Sequence, residues 1–306
     1  MANVEKYCAT LDLPQDKTII ITGGNSGIGF STAKHLVRYG WHIILAVRSL
    51  SRGEKAKKTL LQTNPEAHIE VWELDMAQRK SILAFVRRVK QSRLDVDAFY
   101  ANAGVYRIPY QKTEDGFEMT CYVNYMANVL LFDALQDYLS ALGHPVKYIL
   151  TSSVVARFAH FVDEDYDPGA RYKSYPAYQK SKVAVNQLFL SLCDECKGSN
   201  ILPLLVHPGC TYTPLIEKAY SGKRLSLAIQ KALRFAFHSP DQAALCTLYL
   251  LQNSVKTSVF CGPKHFFHMT GLPHVYRLYR GNTKGYAEQV QRTRDLLSSE
   301  TQIRRG

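Results

Sequence analysis

Tyr178 and Lys182 form a pair able to move a proton. They stand four positions apart in a helical context, and residues at i and i+4 share a helix face, so phenol and ammonium can meet. An unperturbed tyrosine, with a pKa of about 10, exchanges protons poorly near neutrality, and a neighbouring ammonium favours its phenolate. The spacing alone says little, because it fixes only two identities in a chain with 19 tyrosines. Ser153 adds to it. It closes a strand-like run ahead of the helix, and its hydroxyl can join Tyr178 in hydrogen-bonding a carbonyl oxygen. Ser152 is the alternative, one residue away.

A second constellation lies near the start of the chain. The run 18–22 leads directly into Thr22-Gly23-Gly24-Asn25-Ser26-Gly27-Ile28-Gly29, where a helix pattern begins. Glycines there let backbone amides approach a pyrophosphate at a helix N-terminus. The spacing is Gly-x-x-x-Gly-x-Gly rather than the familiar Gly-x-Gly-x-x-Gly, and its place between first strand and first helix makes it informative. The second strand ends in Val47-Arg48-Ser49, and no Asp or Glu occurs from Phe30 through Gly53. NAD sites need a carboxylate there for the ribose hydroxyl. Arg48, with Arg52 and Lys55 behind it, suits a 2′-phosphate instead, so NADP(H) is expected. The positive ring of oxidised nicotinamide would add to the effect of Lys182 on Tyr178.

Further candidates follow the later strands. Asp75, in Leu74-Asp75-Met76, can accept from an adenine amino group, although a lone Asp there also reads as a helix N-cap. Asn102-Ala103-Gly104 is a small, tight turn that lets a cofactor lie close to the backbone. Pro208 and Gly209 stop the sixth strand, and Thr211 and Thr213 offer hydroxyls to the nicotinamide amide or phosphates. Asn124 sits inside a long helical pattern, where such an amide ordinarily faces solvent.

The elements that must position these residues are legible from periodicity. Runs 18–22, 42–47, 68–74, 96–100, 146–151 and 201–207 are nearly continuously apolar, as strands covered on both faces are. Amphipathic stretches such as 31–39, 78–91 and 117–142 read as helices between them. The alternation predicts an α/β fold, a doubly wound parallel sheet flanked by helices, with its ligand site beyond the carboxyl ends of the strands. Residues 1–16 read as a tail and 17–270 as a single catalytic domain. Residues 271–306, with weak apolar periodicity, read as a basic extension.

The chain has 306 residues, 46% of them hydrophobic, enough for one large core. No secretion signal or long uncharged apolar run is evident, so neither secretion nor a membrane span is expected. Seven scattered cysteines suit free thiols in a reducing compartment, and the cytoplasm is the expected location. Cys193-x-x-Cys196 lacks a second pair at ligand spacing, so no metal is expected. The net charge of +12 favours anionic partners, but no nucleic-acid module is recognisable. Residues 224–238 set Leu225, Ile229, Leu233 and Phe237 on one helix face, with Arg224, Lys231, Arg234 and His238 away from it. Such a helix could cap a lipophilic pocket or rest on an anionic membrane; the cap is preferred. The basic C-terminus is a second candidate for peripheral membrane contact.

Together, the motif from Thr22 to Gly29, Asn102-Ala103-Gly104, Asn124, Ser153, Tyr178-x-x-x-Lys182 and Pro208-Gly209 resemble the short-chain dehydrogenase/reductase family over residues 17–213. The resemblance implies a Rossmann-type sheet of about seven strands, the seventh around 258–261, and a fold in which homo-oligomers are common. It also implies roles: Tyr178 the general acid/base, Lys182 its pKa-lowering partner and ribose anchor, Ser153 the carbonyl-polarising residue, Asn124 the proton-relay support. The Val47-Arg48-Ser49 end and the long 153–178 segment resemble the retinol-dehydrogenase-like branch, which uses NADP(H) on lipophilic carbonyls and alcohols. Tyr178-Gln179-Lys180-Ser181-Lys182 and Pro208-Gly209-Cys210 also resemble light-dependent protochlorophyllide reductase, which reduces a ring double bond. A catalytically silent NADP sensor or scaffold is the alternative from another class. Tyr125-Met126-Ala127 departs from the His and Gly that relatives often carry after the Asn.

Overall fold

Ile19, Ile20 and Ile21 are all fully buried, and they show why the strands carry no polar face. Ile20 packs with Ile44, Trp72, Phe99 and Leu150 into one core, whereas Ile19 and Ile21 join Ile43, Leu45, Tyr100 and Ile149 in another. Successive side chains of a strand point to opposite faces, so each strand feeds both cores. The computed structural model describes residues 4–211, 238–265, 270–278 and 281–303. Tyr212, Thr213, residues 224–237 of the expected amphipathic helix, Arg280, Arg304 and Arg305 lie outside the described residues.

The sheet has eight strands: β1 (Thr18–Thr22), β2 (His42–Val47), β3 (Ile69–Glu73), β4 (Ala98–Ala101), β5 (Val146–Thr151), β6 (Ile201–Val206), β7 (Phe260–His265) and β8 (Thr270–Tyr276). Their order is β3-β2-β1-β4-β5-β6-β7-β8. Pairing is parallel from β3 to β7, and β8 returns antiparallel along β7. Chain order reverses between β1 and β4, which opens the binding crevice at their carboxyl ends. Helices α1 (Val4–Cys8), α2 (Gly27–Leu36), α3 (Leu50–Leu61) and α7 (Pro240–Leu251) contribute Cys8, Leu36, Leu60 and Leu248 to one core. Helices α4 (Arg79–Ser92), α5 (Ala127–Ser140), α6 (Ser174–Glu195) and α8 (Tyr286–Ile303) contribute Phe85, Phe132, Leu188 and Val290 to the other.

Two departures from the sequence expectation bear on the site. The expected helix 117–142 is interrupted: a turn at Met119–Cys121 is followed by a π segment, Tyr122–Met126, before α5 begins. Asn124 lies at the centre of that segment, 1% exposed, so it does not face solvent. Such π segments inside helices are frequent at functional places.

The second departure is past residue 270. Residues read as a basic extension supply the eighth strand and α8. Apolar periodicity in α8 is weak because much of its docking is polar. Buried Thr293 is hydrogen-bonded to Tyr125 at 2.7 Å and Tyr166 at 2.6 Å. The Arg294 guanidinium pairs with Asp133 at 2.9 Å and Glu195 at 2.8 Å. Tyr125, next to Asn124, is thus held by the C-terminal helix. Among the described residues no helix is long and apolar enough to cross a membrane. All seven cysteines are free thiols.

Candidate active site

The glycine loop closes on itself tightly. Gly23 and Gly27 have φ of +67° and +58°, the left-handed region in which side chains are strained. A Cβ on Gly29 would lie 2.6 Å from Asn102 Nδ2, so the start of α2 can approach the β4 turn only with glycine there. Asn102 Nδ2 donates to Thr22 O at 2.9 Å, and Thr22 Oγ1 accepts from the backbone N–H groups of Asn102 and Ala103 at 3.0 and 2.9 Å. Ser26, extended at the N-cap, makes no side-chain cap for α2. First-turn amides of Gly27, Ile28 and Gly29 therefore face the crevice uncapped, which suits a phosphate group. The left-handed glycines and this uncapped helix start fit a dinucleotide, with Asn25 and Ser26 at the lip.

Arg48 follows β2, exposed and without a hydrogen bond or ion pair among the described residues. Ser49 caps α3 by accepting from Arg52 N at 3.4 Å. Asp75 is not a helix N-cap, since Gln78 holds that position on α4. Its carboxylate instead accepts from Ala77 N and Gln78 Nε2, each at 3.0 Å. The Met76 side chain is buried in the core, leaving only its backbone to the crevice.

At the chemical end, β5 sends two serines in different directions. Ser152, 2% exposed, donates to Asn186 Oδ1 at 2.5 Å, away from Tyr178. The Ser153 hydroxyl lies on the Tyr178 side, near enough to ease ionisation of its phenol. Lys182 Nζ lies 5.7 Å from the centre of the Tyr178 ring and donates to Thr151 O at 2.8 Å. Burial pushes the Tyr178 phenol up to about 12, partly opposed by the nearby Ser153 hydroxyl, and brings Lys182 down to about 8. The expected downward pull of Lys182 on Tyr178 does not show: desolvation is the leading effect, and the Lys182 ammonium is 5.7 Å from the ring centre. The polypeptide by itself holds Tyr178 as a protonated phenol at neutral pH.

Asn124 ties these parts together. Its Oδ1 accepts from Val105 N at 2.8 Å, and its Nδ2 donates to Val105 O and Ser181 Oγ, each at 3.0 Å. Ser181 in turn donates to Tyr178 O at 2.8 Å. A Cβ on Gly104 would stand 3.0 Å from Asn124 Oδ1 and 3.9 Å from Lys182 Nζ, so glycine leaves Lys182 open on that side. After β6, Gly209 turns with φ +76° and its N–H donates to His207 Nδ1, while Thr211 Oγ1 donates to Pro208 O at 3.1 Å.

Three contributors escape sequence reasoning. The Tyr106 ring meets Tyr178 edge-on, centres 4.7 Å apart. Arg107, with φ +50°, places its guanidinium 5.7 Å from the Tyr175 ring centre. Asn282, buried just before α8, donates to the carbonyls of Ala156 and Ala159 and so fixes the turn after Ser153. Only the proximity of Tyr106 and Arg107 to Asn102-Ala103-Gly104 could have pointed to the first two.

The short chain dehydrogenase profile matches residues 17–224. Human polyprenol dehydrogenase is 32% identical over 240 residues, covering 76% of this chain and 72% of that protein. Mouse retinol dehydrogenase 13 is 35% identical over 241 residues, covering 76% and 71%. Among solved structures, an uncharacterized protein from Mycobacterium Paratuberculosis superposes with a TM-score of 0.75 at 28% identity, over 96% of this chain and 97% of that one. L-Sorbose reductase from Gluconobacter frateurii, solved with NADPH and L-sorbose, shares the fold with a TM-score of 0.64 at 22% identity, over 82% and 97%. With the profile spanning most of the chain and relatives above 30% identity over three quarters of it, the protein belongs to the short-chain dehydrogenase family, in the retinol-dehydrogenase-like branch of these oxidoreductases.

Proposed function

We propose that the chain catalyses reversible hydride transfer between NADP(H) and a carbonyl or alcohol of a lipophilic small molecule, with Tyr178 as general acid/base. The single observation that carries this is buried Lys182 placed 5.7 Å from the Tyr178 ring centre and tied to Thr151 O, beside Ser153 at the carboxyl ends of the strands. Uncapped amides at Gly27 to Gly29 would hold the pyrophosphate, Arg48 the 2′-phosphate, and the turn at Asn102 to Gly104 would let the cofactor lie against the backbone. NADP(H), once bound, would supply or accept the hydride.

The residues of the chain do the rest. Ser153 and Tyr178 orient the substrate oxygen with their two hydroxyls. Tyr178, kept protonated by burial, gives its phenolic proton to a carbonyl oxygen as that oxygen gains charge, and takes a proton back in the oxidative direction. Lys182 stabilises the phenolate so formed and is placed to anchor a ribose. Asn124 acts by position, fixing the Val105 loop against α6. Support for a lipophilic substrate comes from the aromatic side of the pocket, Tyr106 against Tyr178, and from relatives named for polyprenol and retinol.

An activity screen with NADPH over lipophilic aldehydes, ketones and enones tests this directly; alcohol formation from carbonyls is expected, and inertness toward all of them contradicts it. Cofactor choice is tested by affinities for NADP and NAD in the parent and in Arg48→Asp, and a parent that prefers NAD contradicts the role given to Arg48. A second reading, reduction of a carbon–carbon double bond, draws on Cys210, whose thiol bears on Tyr178 and is itself kept protonated by burial. Product analysis separates a saturated ketone from an alcohol.

A further inference from the structure

At the far end of the sheet, the imidazoles of His42 and His68 stack face to face, ring centres 3.6 Å apart and planes 1° from parallel. The register of β2 and β3 brings this about. Ile43 pairs with Ile69 and Ile44 with Glu70, so His42 comes level with His68, and Glu70, two residues on, shares its face. Glu70 Oε1 lies 3.0 Å from His42 Nε2 and 3.9 Å from His68 Nε2. One ligating atom from each residue lies within 4.8 Å of the others, and among the described residues no other such trio occurs.

Ligand atoms around a tetrahedral zinc, with bonds of about 2.0–2.1 Å, stand roughly 3.4 Å apart. The in-plane nitrogen lone pairs of two parallel rings 3.6 Å apart do not converge, so reaching that arrangement takes the rings out of their stack, and His68, with its side chain 67% exposed, is free to turn. The carboxylate is already oriented, because its second oxygen accepts from Trp72 Nε1 at 2.9 Å and Trp72 is buried. Outer-shell donors of this kind commonly fix metal-bound carboxylates.

We propose that His42, His68 and Glu70 form a binding site for a borderline divalent cation of the zinc type, at the amino-terminal end of the outer strand pair β2 and β3. Two imidazole nitrogens with one carboxylate oxygen suit zinc and disfavour magnesium and calcium, which take oxygen ligands. Water completes the coordination on the solvent side. The bound cation clips edge strand β3 to β2, and stabilises the fold by mass action. His42 opens β2 and Arg48 follows its last residue, so the site stands about 17–20 Å from the crevice and does not depend on the proposed activity.

Titrating zinc into tag-free protein by calorimetry, alongside magnesium, tests the site, with His68→Ala and Glu70→Gln as variants. Both positions are solvent-accessible, and Gln keeps an acceptor for Trp72. The expected result is one zinc bound with a micromolar Kd, a higher melting temperature with zinc, at least about tenfold weaker binding in each variant, and no magnesium binding. Absence of saturable zinc binding below about 100 µM overturns the proposal. So does parent-like binding in either variant, which would place the zinc elsewhere, for instance at Cys193 and Cys196.

Discussion

Replacing Gly29 by alanine should damage the cofactor cradle far more than its single methyl group suggests. The new Cβ would stand 2.6 Å from Asn102 Nδ2 and 3.1 Å from Gly23 O, against an ordinary contact of about 3.5 Å. Asn102 cannot swing aside freely, because its amide is held by Thr22 O at 2.9 Å and its backbone by Thr22 Oγ1. Either that hydrogen bond breaks, at about 1 kcal/mol, or the start of α2 moves outward, at about 1–3 kcal/mol. A stability loss of roughly 1–3 kcal/mol is expected. Moving the helix start also withdraws amides from the phosphates, and losing one hydrogen bond to a charged group, worth about 1.5–3 kcal/mol, weakens NADPH roughly 10- to 100-fold. Calorimetric titration of NADPH and urea unfolding measure the two effects. Gly143→Ala is the control, since Gly143 has φ +73°, nothing lies within 4 Å of the place its methyl would take, and it precedes β5 at the opposite end of the sheet. It should cost stability without touching NADPH affinity. An NADPH Kd for Gly29→Ala within about threefold of the parent would refute the cradle.

Three other substitutions separate stability from chemistry. Ser152→Ala removes a buried hydrogen bond to Asn186 and should cost about 1–3 kcal/mol in urea unfolding with kcat little changed, whereas Ser153→Ala should spare stability and lower kcat about 100-fold; the reverse pattern would exchange their roles. Lys182 has a folded pKa near 8, below its ordinary 10.5, so between those values the unfolded chain holds more protons and parent stability rises with pH. Lys182→Met should therefore be inactive yet more stable than the parent by about 2 kcal/mol at pH 7, after allowing for the lost bond to Thr151 O, with the gain shrinking toward pH 10.5. A variant less stable than the parent at pH 7 contradicts the burial cost. Thr293→Val should destabilise by about 1–3 kcal/mol because Tyr125 and Tyr166 lose a buried partner, and Thr293→Ser should restore most of it. Equal stability of the Val variant and the parent would show that α8 docks without this contact.

Much of the crevice is readable in the chain because its parts are local. Gly23 to Gly29 span one turn, Tyr178 and Lys182 one helical face, and strands such as Ile19 to Ile21 announce burial on both sides. What the spacing does not reveal depends on contacts between distant segments. Ser152 and Ser153 are equivalent in sequence, and only the placement of Asn186 and Tyr178 on α6 separates them. Asn124 lies in a helical pattern whose π segment is stabilised by Val105, Ser181 and Asn128. Helix α8 hides from periodicity because Thr293 and Arg294 dock it through polar groups. His42 and His68 meet only through strand register.

The central claim is that Tyr178 carries the proton, and Tyr178→Phe examined in a single turnover tests it most directly. With NADPH and a lipophilic aldehyde that the parent reduces, the variant should lose hydride transfer by about 10²- to 10⁴-fold, the range of a lost general acid, while NADPH affinity stays within about threefold. Turnover within tenfold of the parent, at unchanged NADPH affinity, would contradict it.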